Sequence, residues 1–258
     1  MEININFFVI AYDLLLDKVV QQLSEDELNK LTSYTVQKRI PKQISAKINN
    51  RINEWELPWN DYFYQTNQCY EYGAMVHLFK NKELIENLTH IGMLHYDVIF
   101  NKNSINNILL ELTKNPDTIF YQMIRPREQL SLSKYEVFKL CEFMEERMDI
   151  MIDGSIAWND GWISEALSLT PKYIFEKFAL FLYKHHLEIK DILKTNRWNI
   201  MDHCPHRMCG ILERMWGFYL VSRDLPLRQL DIIHDWDSYQ HKHMETNGSG
   251  ASTLCHFI

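Results

Sequence analysis

The chain begins with a short apolar run, residues 6–12 (NFFVIAY), whose β-branched and aromatic make-up predicts a buried first strand. Residues 17–30 are polar and read as helix, with Ser24-Glu-Asp-Glu27 matching a capping-box start. A second strand is predicted over 31–40, stopped at Pro41. Ala74, Met75, Leu78 and Phe79 recur at helical spacing and predict a helix over 70–81. Residues 89–100 read as strand, 104–114 as a short amphipathic helix, 115–117 (Asn-Pro-Asp) as a turn, and 118–124 as strand, ended by Pro126.

The second half has a different rhythm. Long helical patterns cover 133–151 and 172–193, the latter apolar nearly all round at Tyr173, Ile174, Phe178, Phe181 and Leu182. Between them, 153–161 (DGSIAWNDG) is rich in turn residues and predicts a loop. A third helix is predicted over 207–222, with Met208, Ile211, Leu212, Met215 and Phe218 as its core-facing stripe. Strands interleaved with helices, then mostly helices, predict one α/β domain over 1–258, with an α/β core over about 1–130 and a helical part over about 131–258.

Composition narrows the function classes. The net charge of -7 and the lack of a basic run argue against broad nucleic-acid binding. Five cysteines, odd in number and widely spaced, suggest a reducing compartment and no disulfide framework. The N-terminal apolar run lacks a basic flank and a small-residue cleavage site, and no stretch reaches the ~18 apolar residues of a membrane span, so a cytoplasmic protein is expected. Only eight glycines occur, the first being Gly73, so no glycine-rich turn follows the first strand. That excludes a dinucleotide G-x-G-x-x-G turn and a P-loop there, since both need glycines for backbone amides to approach phosphate. A phosphate-handling site in this chain must neutralise charge with a metal or with side chains.

Several groups have the residue types for such a site. In Ile91-Gly92-Met93-Leu94-His95-Tyr96-Asp97 a continuous strand would project His95 and Asp97 to one side, as candidate ligands for Mn²⁺ or Mg²⁺. A core histidine and a capping aspartate are the plainer alternative. On the last predicted helix, His206, Gly210, Glu213 and Gly217 share a stripe. There a carboxylate flanked by glycines either packs against another element, ion-paired to Arg207 or Arg214, or orients a sugar hydroxyl. His203-Cys204-Pro205-His206, with Cys209, Cys255 and His256, has zinc-ligand residue types without a C-x-x-C or H-x₃₋₅-H knuckle. A single histidine such as His206 serving a catalytic cation fits better. Trp158-Asn159-Asp160-Gly161-Trp162 combines two aromatic faces with a carboxylate, and is equally ordinary turn chemistry. Asp235 and Asp237 mimic a D-x-D in a polar setting that reads as a solvated segment.

Three blocks carry a family resemblance. Tyr70-Glu71-Tyr72-Gly73-Ala74, continuing to His77-Leu78-Phe79-Lys80-Asn81, resembles the tyrosine- and glutamate-led helix of bacterial and viral capsular or exopolysaccharide glycosyltransferases with a GT-A-like fold. Ile91 to Tyr96 is similar to that family's Gly-x-x-His-Tyr strand, and Gly210 to Arg214 to its Gly-x-x-Glu-Arg helix. With the N-terminal strand and its Tyr12-Asp13, which are compatible with the family, the match spans roughly residues 6 to 222, and Asp97-Val98 replace the basic residues usual after His-Tyr. The resemblance implies a Rossmann-type mixed sheet flanked by helices and a UDP- or GDP-sugar donor, with a saccharide or glycan acceptor. It implies Ala11, Tyr12 and Asp13 beside the nucleotide, with Tyr70, Glu71 and Arg214 near the donor. Asp97, with His95 and His206, would hold a divalent cation, and Glu213 or Asp160 would act on the acceptor hydroxyl. A metal-dependent hydrolase and a non-catalytic interaction module remain the alternatives.

Overall fold

The computed structural model describes residues 2–11, 14–15, 17–36, 43–67, 69–164, 167–195 and 207–234. The first apolar run forms strand β1 (Ile5–Ala11), buried at every position except Asn6. Its pleat divides the core: Phe8 and Ile10 face one apolar layer, and Phe7, Val9 and Ala11 face the other. After the short β2 (Leu14–Leu15) the predicted helix splits into α1 (Asp17–Val20) and α2 (Glu25–Leu28). The break falls where Ser24 takes an extended conformation (φ -70°, ψ 165°) to cap α2, and Glu27 completes the reciprocal capping box. Strand β3 (Leu31–Thr35) is shorter than predicted. Next come β4 (Gln43–Ile44), which pairs with β2, then β5 (Asn50–Asn53) and α3 (Tyr62–Thr66).

Helix α4 (Tyr70–Lys80) and α5 (Ser104–Lys114) form where the pattern puts them. The single strand expected over 89–100 is two, β6 (His90–His95) and β7 (Val98–Phe100), separated by a turn at Tyr96–Asp97. Strand β8 (Ile119–Tyr121) and the short β9 (Ile124–Arg125) precede α6 (Lys134–Met148). The segment read as a loop contains helix α7 (Gly154–Asn159), followed by β10 (Trp162–Ile163), which pairs with β9. The chain continues through β11 (Ser168–Pro171), α8 (Lys172–Thr195), α9 (Arg207–Val221), β12 (Leu227–Gln229) and β13 (Ile232–His234), the last paired with β7.

Seven strands make the central sheet, in the order β12-β8-β11-β6-β1-β3-β5. Strands β5, β3, β1 and β6 run parallel, β11 is antiparallel to both β6 and β8, and β12 is parallel to β8. The later half is rich in helix, and its strands β11 and β12 lie in the central sheet. One face of the sheet carries α4, α6, α8 and α9 over an aromatic layer in which Phe178 lies 4.8 Å from Trp216 and 5.5 Å from Tyr219. The other face carries α1, α5 and β7, with Phe7 and Phe100 in edge contact at 5.7 Å. Helix α8 is amphipathic and not apolar all round: Tyr173 is exposed, while Phe178 and Leu182 are buried.

Candidate functional site

The chain leaves β1 for β3 on one side and later returns to pair β6 on the other. In open α/β sheets ligands bind outside the carboxyl ends of the strands at such a reversal. Here those ends are Ala11 and His95. Ile10 is paired in register with His95, and the Tyr96 N–H donates to the Ile10 carbonyl at 3.1 Å. Ala11 therefore sits at the crevice edge, with its side chain buried and its carbonyl accepting from the Val36 N–H. Tyr12 and Asp13 lie outside the described residues.

The strand alternation sets where His95 points. Ile91 and Met93 belong to the layer under α4, α8 and α9, whereas Leu94 and Tyr96 belong to the opposite one. His95 continues the first set, and its Nε2 lies 3.0 Å from Oε1 of Glu71 in the first turn of α4. The Glu71 side chain is 5% exposed and that of His95 20%. On the other carboxylate oxygen, the Cys209 thiol of α9 donates to Oε2 at 3.6 Å. One buried carboxylate thus joins the start of α4, the end of β6 and the face of α9. A helix start suits a carboxylate, because its free amides carry partial positive charge. Tyr70, at that start, has a left-handed backbone (φ 43°), which costs a bulky residue on the order of 1–3 kcal/mol.

Tyr72 completes the cluster. Its phenol is fully buried and pushed well above its ordinary range, first by burial and then by Glu213, Cys209 and Glu71. Its hydroxyl has no hydrogen-bond partner among the described residues. Nothing in sequence spacing links Glu71 to His95, Tyr72 to Glu213 or Cys209 to the helix start. The crossover from α4 to β6 and the packing of α9 on α4 bring them together.

Asp97 departs from expectation. The strand ends at His95, so the alternation that would set Asp97 beside it does not continue; Asp97 sits buried in the turn to β7. Among the described residues, no three His, Cys, Asp or Glu side chains gather as a cation's ligand set. The described residues alone do not complete a site for a divalent cation. His206 lies outside the described residues, as do His203, Cys204, Asp235, Asp237, Cys255 and His256; Cys209, the described member of the suggested zinc group, contacts Glu71.

Glu213 and Arg214 adjoin the cluster as a pair, Oε2 to Nη1 at 2.7 Å. The Arg214 guanidinium also donates to the Leu130 and Gly210 carbonyls and stacks over Trp162 at 4.7 Å. Both residues thus take the ion-paired, packing arrangement. Gly217 confirms the close approach that the glycine stripe suggests: a Cβ there would meet the Ile163 carbonyl oxygen at 2.1 Å. Gly92 has a matching packing role, since the Phe7 ring of β1 fills the space its Cβ would take, at 2.1 Å. Asp160 is exposed at the C-terminal cap of α7, and its N–H donates to the Ile156 carbonyl. Trp158 lies under Arg127 at 5.6 Å, whereas Trp162 is buried.

The His77 to Asn81 block anchors a loop. The Asp61 N–H donates to His77 Nε2 at 3.0 Å, so Nδ1 carries the proton toward Glu54 Oε1 at 2.7 Å. Asn81 brackets Trp59, accepting from its N–H and donating to its carbonyl. These buried groups brace the loop before α3.

No protein-family model and no curated protein sequence matches the chain. Among solved structures, the apo form of the WbbM bifunctional glycosyltransferase superposes with a TM-score of 0.58 over 90% of this chain, at 13% identity. The fold is GT-A-like. The match covers 45% of the WbbM chain, so the protein spans less than half of that enzyme's length. The apo form of mouse xyloside xylosyltransferase 1 matches more loosely, with a TM-score of 0.44 and 11% identity, over 90% of this chain and 98% of that one. Among the described residues no helix is long and apolar enough to cross a membrane.

Proposed function

We propose that the protein is a glycosyltransferase that moves a sugar from a nucleoside-diphosphate donor, a UDP- or GDP-sugar, to a saccharide or glycan acceptor. One observation carries the reading: the sheet reverses between β1 and β6, and the carboxyl end there holds a partly exposed histidine braced by a buried carboxylate. The GT-A-like fold supports it. On this reading the nucleotide lies along the end of β1 at Ala11, and the diphosphate and sugar lie toward His95. A role for Mn²⁺ or Mg²⁺, with Asp97, His95 and His206 as the expected ligands, belongs to the same proposal. So does a place in polysaccharide biosynthesis in a reducing compartment.

The test is a thermal-shift panel of UDP-glucose, UDP-galactose, UDP-N-acetylglucosamine and GDP-mannose, each with and without Mn²⁺. A donor at a hundred times its Kd stabilises by about 2.7 kcal/mol, which for a chain of this size raises Tm by roughly 5–10 °C. A flat panel in both metal conditions sinks the proposal. A phosphatase and esterase screen then separates a hydrolase from a binding module.

A further inference from the structure

Helix α8 buries one side against α4, α6 and α9 and turns the other to solvent. At steps of four and three residues its outer stripe reads Tyr173, Lys177, Leu180, Lys184 and Leu187, with Asp191 at its end. A single exposed leucine is ordinary, but Leu180 (36% exposed) and Leu187 (59%) stand in line between lysines. The helix carries five lysines against three acidic residues, in a chain whose net charge is -7. Glu176 lies 4.0 Å from Lys172, and Glu188 is held by Arg147 and His185. Lys177 and Lys184 have no ion-pair partner among the described residues. The patch continues onto α3 and α4. Lys80 stands 4.1 Å over the Tyr183 ring and 5.3 Å over Trp59, and Lys190 lies 5.2 Å over Phe63. Tyr62, at the start of α3, is 69% exposed. Lysine stems laid on aromatic rings keep their ammonium groups outward, which suits a partner with a charged skin and an apolar depth.

We propose that this face docks the protein on an anionic lipid bilayer, with Leu180 and Leu187 entering the acyl boundary and Lys177, Lys184, Lys80 and Lys190 meeting the headgroups. Binding of this kind grows with the apolar area buried and with the attraction to anionic lipid, and it needs no spanning segment. A second copy fits this face less well. Antiparallel packing along the stripe would set Lys177 of one copy beside Lys184 of the other, because they lie three residues before and four after Leu180. Parallel packing would set each lysine beside its own equivalent, and like charges oppose both contacts. A soluble polyanion would use the lysines but leave the leucines bare, and the net charge of -7 repels it elsewhere. The docking is independent of the glycosyltransferase reading.

The experiment sediments the full chain with vesicles of phosphatidylcholine, alone or with about 30% phosphatidylglycerol, at about 0.1 M and about 0.5 M salt. Wild type should bind the anionic vesicles, bind phosphatidylcholine alone far more weakly, and lose affinity at the higher salt. Lys177→Gln with Lys184→Gln should lower the partition coefficient by roughly 25-fold, about fivefold for each lysine. Leu180→Gln with Leu187→Gln leaves the charge unchanged and should lower it by about tenfold or more. Leu110→Gln, at a 63% exposed site on α5 across the sheet, should bind as wild type. Because these positions are exposed, every variant should melt within about 2 °C of wild type. A wild type that ignores anionic vesicles, or binds both vesicle types alike, overturns the proposal. So does a loss in Leu110→Gln as large as in the α8 pairs. Binding that needs the lysines but not the leucines overturns it in favour of a polyanion site. A dimer in light scattering that the leucine pair dissolves overturns it in favour of self-association. Should the leucine pair unfold, those side chains serve the fold and the docking face falls.

Discussion

Three of the described histidines, His77, His90 and His95, do different work, and burial with partner chemistry tells them apart. His77 is a buried neutral brace, His95 stands at the crevice, and His90 ties the start of β6 to the turn before β8. The His90 ring lies 2.6 Å from the Pro116 carbonyl and 2.9 Å from the Thr89 hydroxyl. Burial holds its pKa below the ordinary 6.5, with the Pro116 carbonyl and then Asp117 opposing in part. Below about pH 6.5 the unfolded chain therefore takes up a proton that the folded one resists. Stability from this residue is intact above that pH and is lost as pH falls toward the lower folded value. Tm measured at pH 7.5, 6.5 and 5.5 should fall more steeply for wild type than for His90→Gln; parallel curves would show that His90 does not drive the acid sensitivity. The same contrast explains which site residues sequence could expose. His95 and Glu71 were visible as residue types in recognisable blocks, but their contact spans a helix, a connection and a strand.

At the scale of elements, legibility followed the caps. Helix α6 begins where Ser133 accepts from the Glu136 N–H and Glu136 reaches back to the Ser133 N–H, a reciprocal pair written in the sequence three residues apart. Helix α7 was hidden for a related reason. Its Asp153-Gly-Ser start and Asn-Asp-Gly end look like turn chemistry, yet Asp153 caps the Ser155 N–H at 2.7 Å and Gly161 leaves with φ +92°. In a six-residue helix, cap residues outnumber the periodic ones, so composition reads as loop. Strand β6 ran too long in prediction because Tyr96 and Val98 are apolar enough to mask the turn at Tyr96–Asp97. The cap argument has a measurable consequence. Ser133→Ala removes the acceptor for an end-of-helix amide and should cost about 1 kcal/mol, lowering Tm by roughly 2–4 °C without changing the donor-induced shift. An unchanged Tm would mean that tertiary packing of Leu140 and Met144 alone sets the start of α6.

The two halves of the chain are knit together across residue 130 by the sheet. Strand β8, in the first half, has β11 and β12 as its sheet neighbours, and both come from the second half. Strand β6 keeps β1 on one side and needs β11 on the other. Two four-residue-or-shorter strands are poor sequence signals, and β11 merges into the helical run that starts at Lys172, so pairing partners far apart in the chain went unseen. The helical layer is equally shared: α4 is roofed by α8 and α9, and Cys209 of α9 touches the carboxylate that holds His95. A fragment of residues 1–130 would leave β8 without a sheet neighbour, one edge of β6 open and the apolar face of α4 bare. Each of these exposes either unpaired backbone groups or large hydrophobic area. The fragment should therefore show no cooperative thermal transition by circular dichroism and no donor-induced shift, while the full chain shows both. A fragment that melts cooperatively would prove the first half an independent unit and would place the determinants of the crevice on β1, β6 and α4 alone.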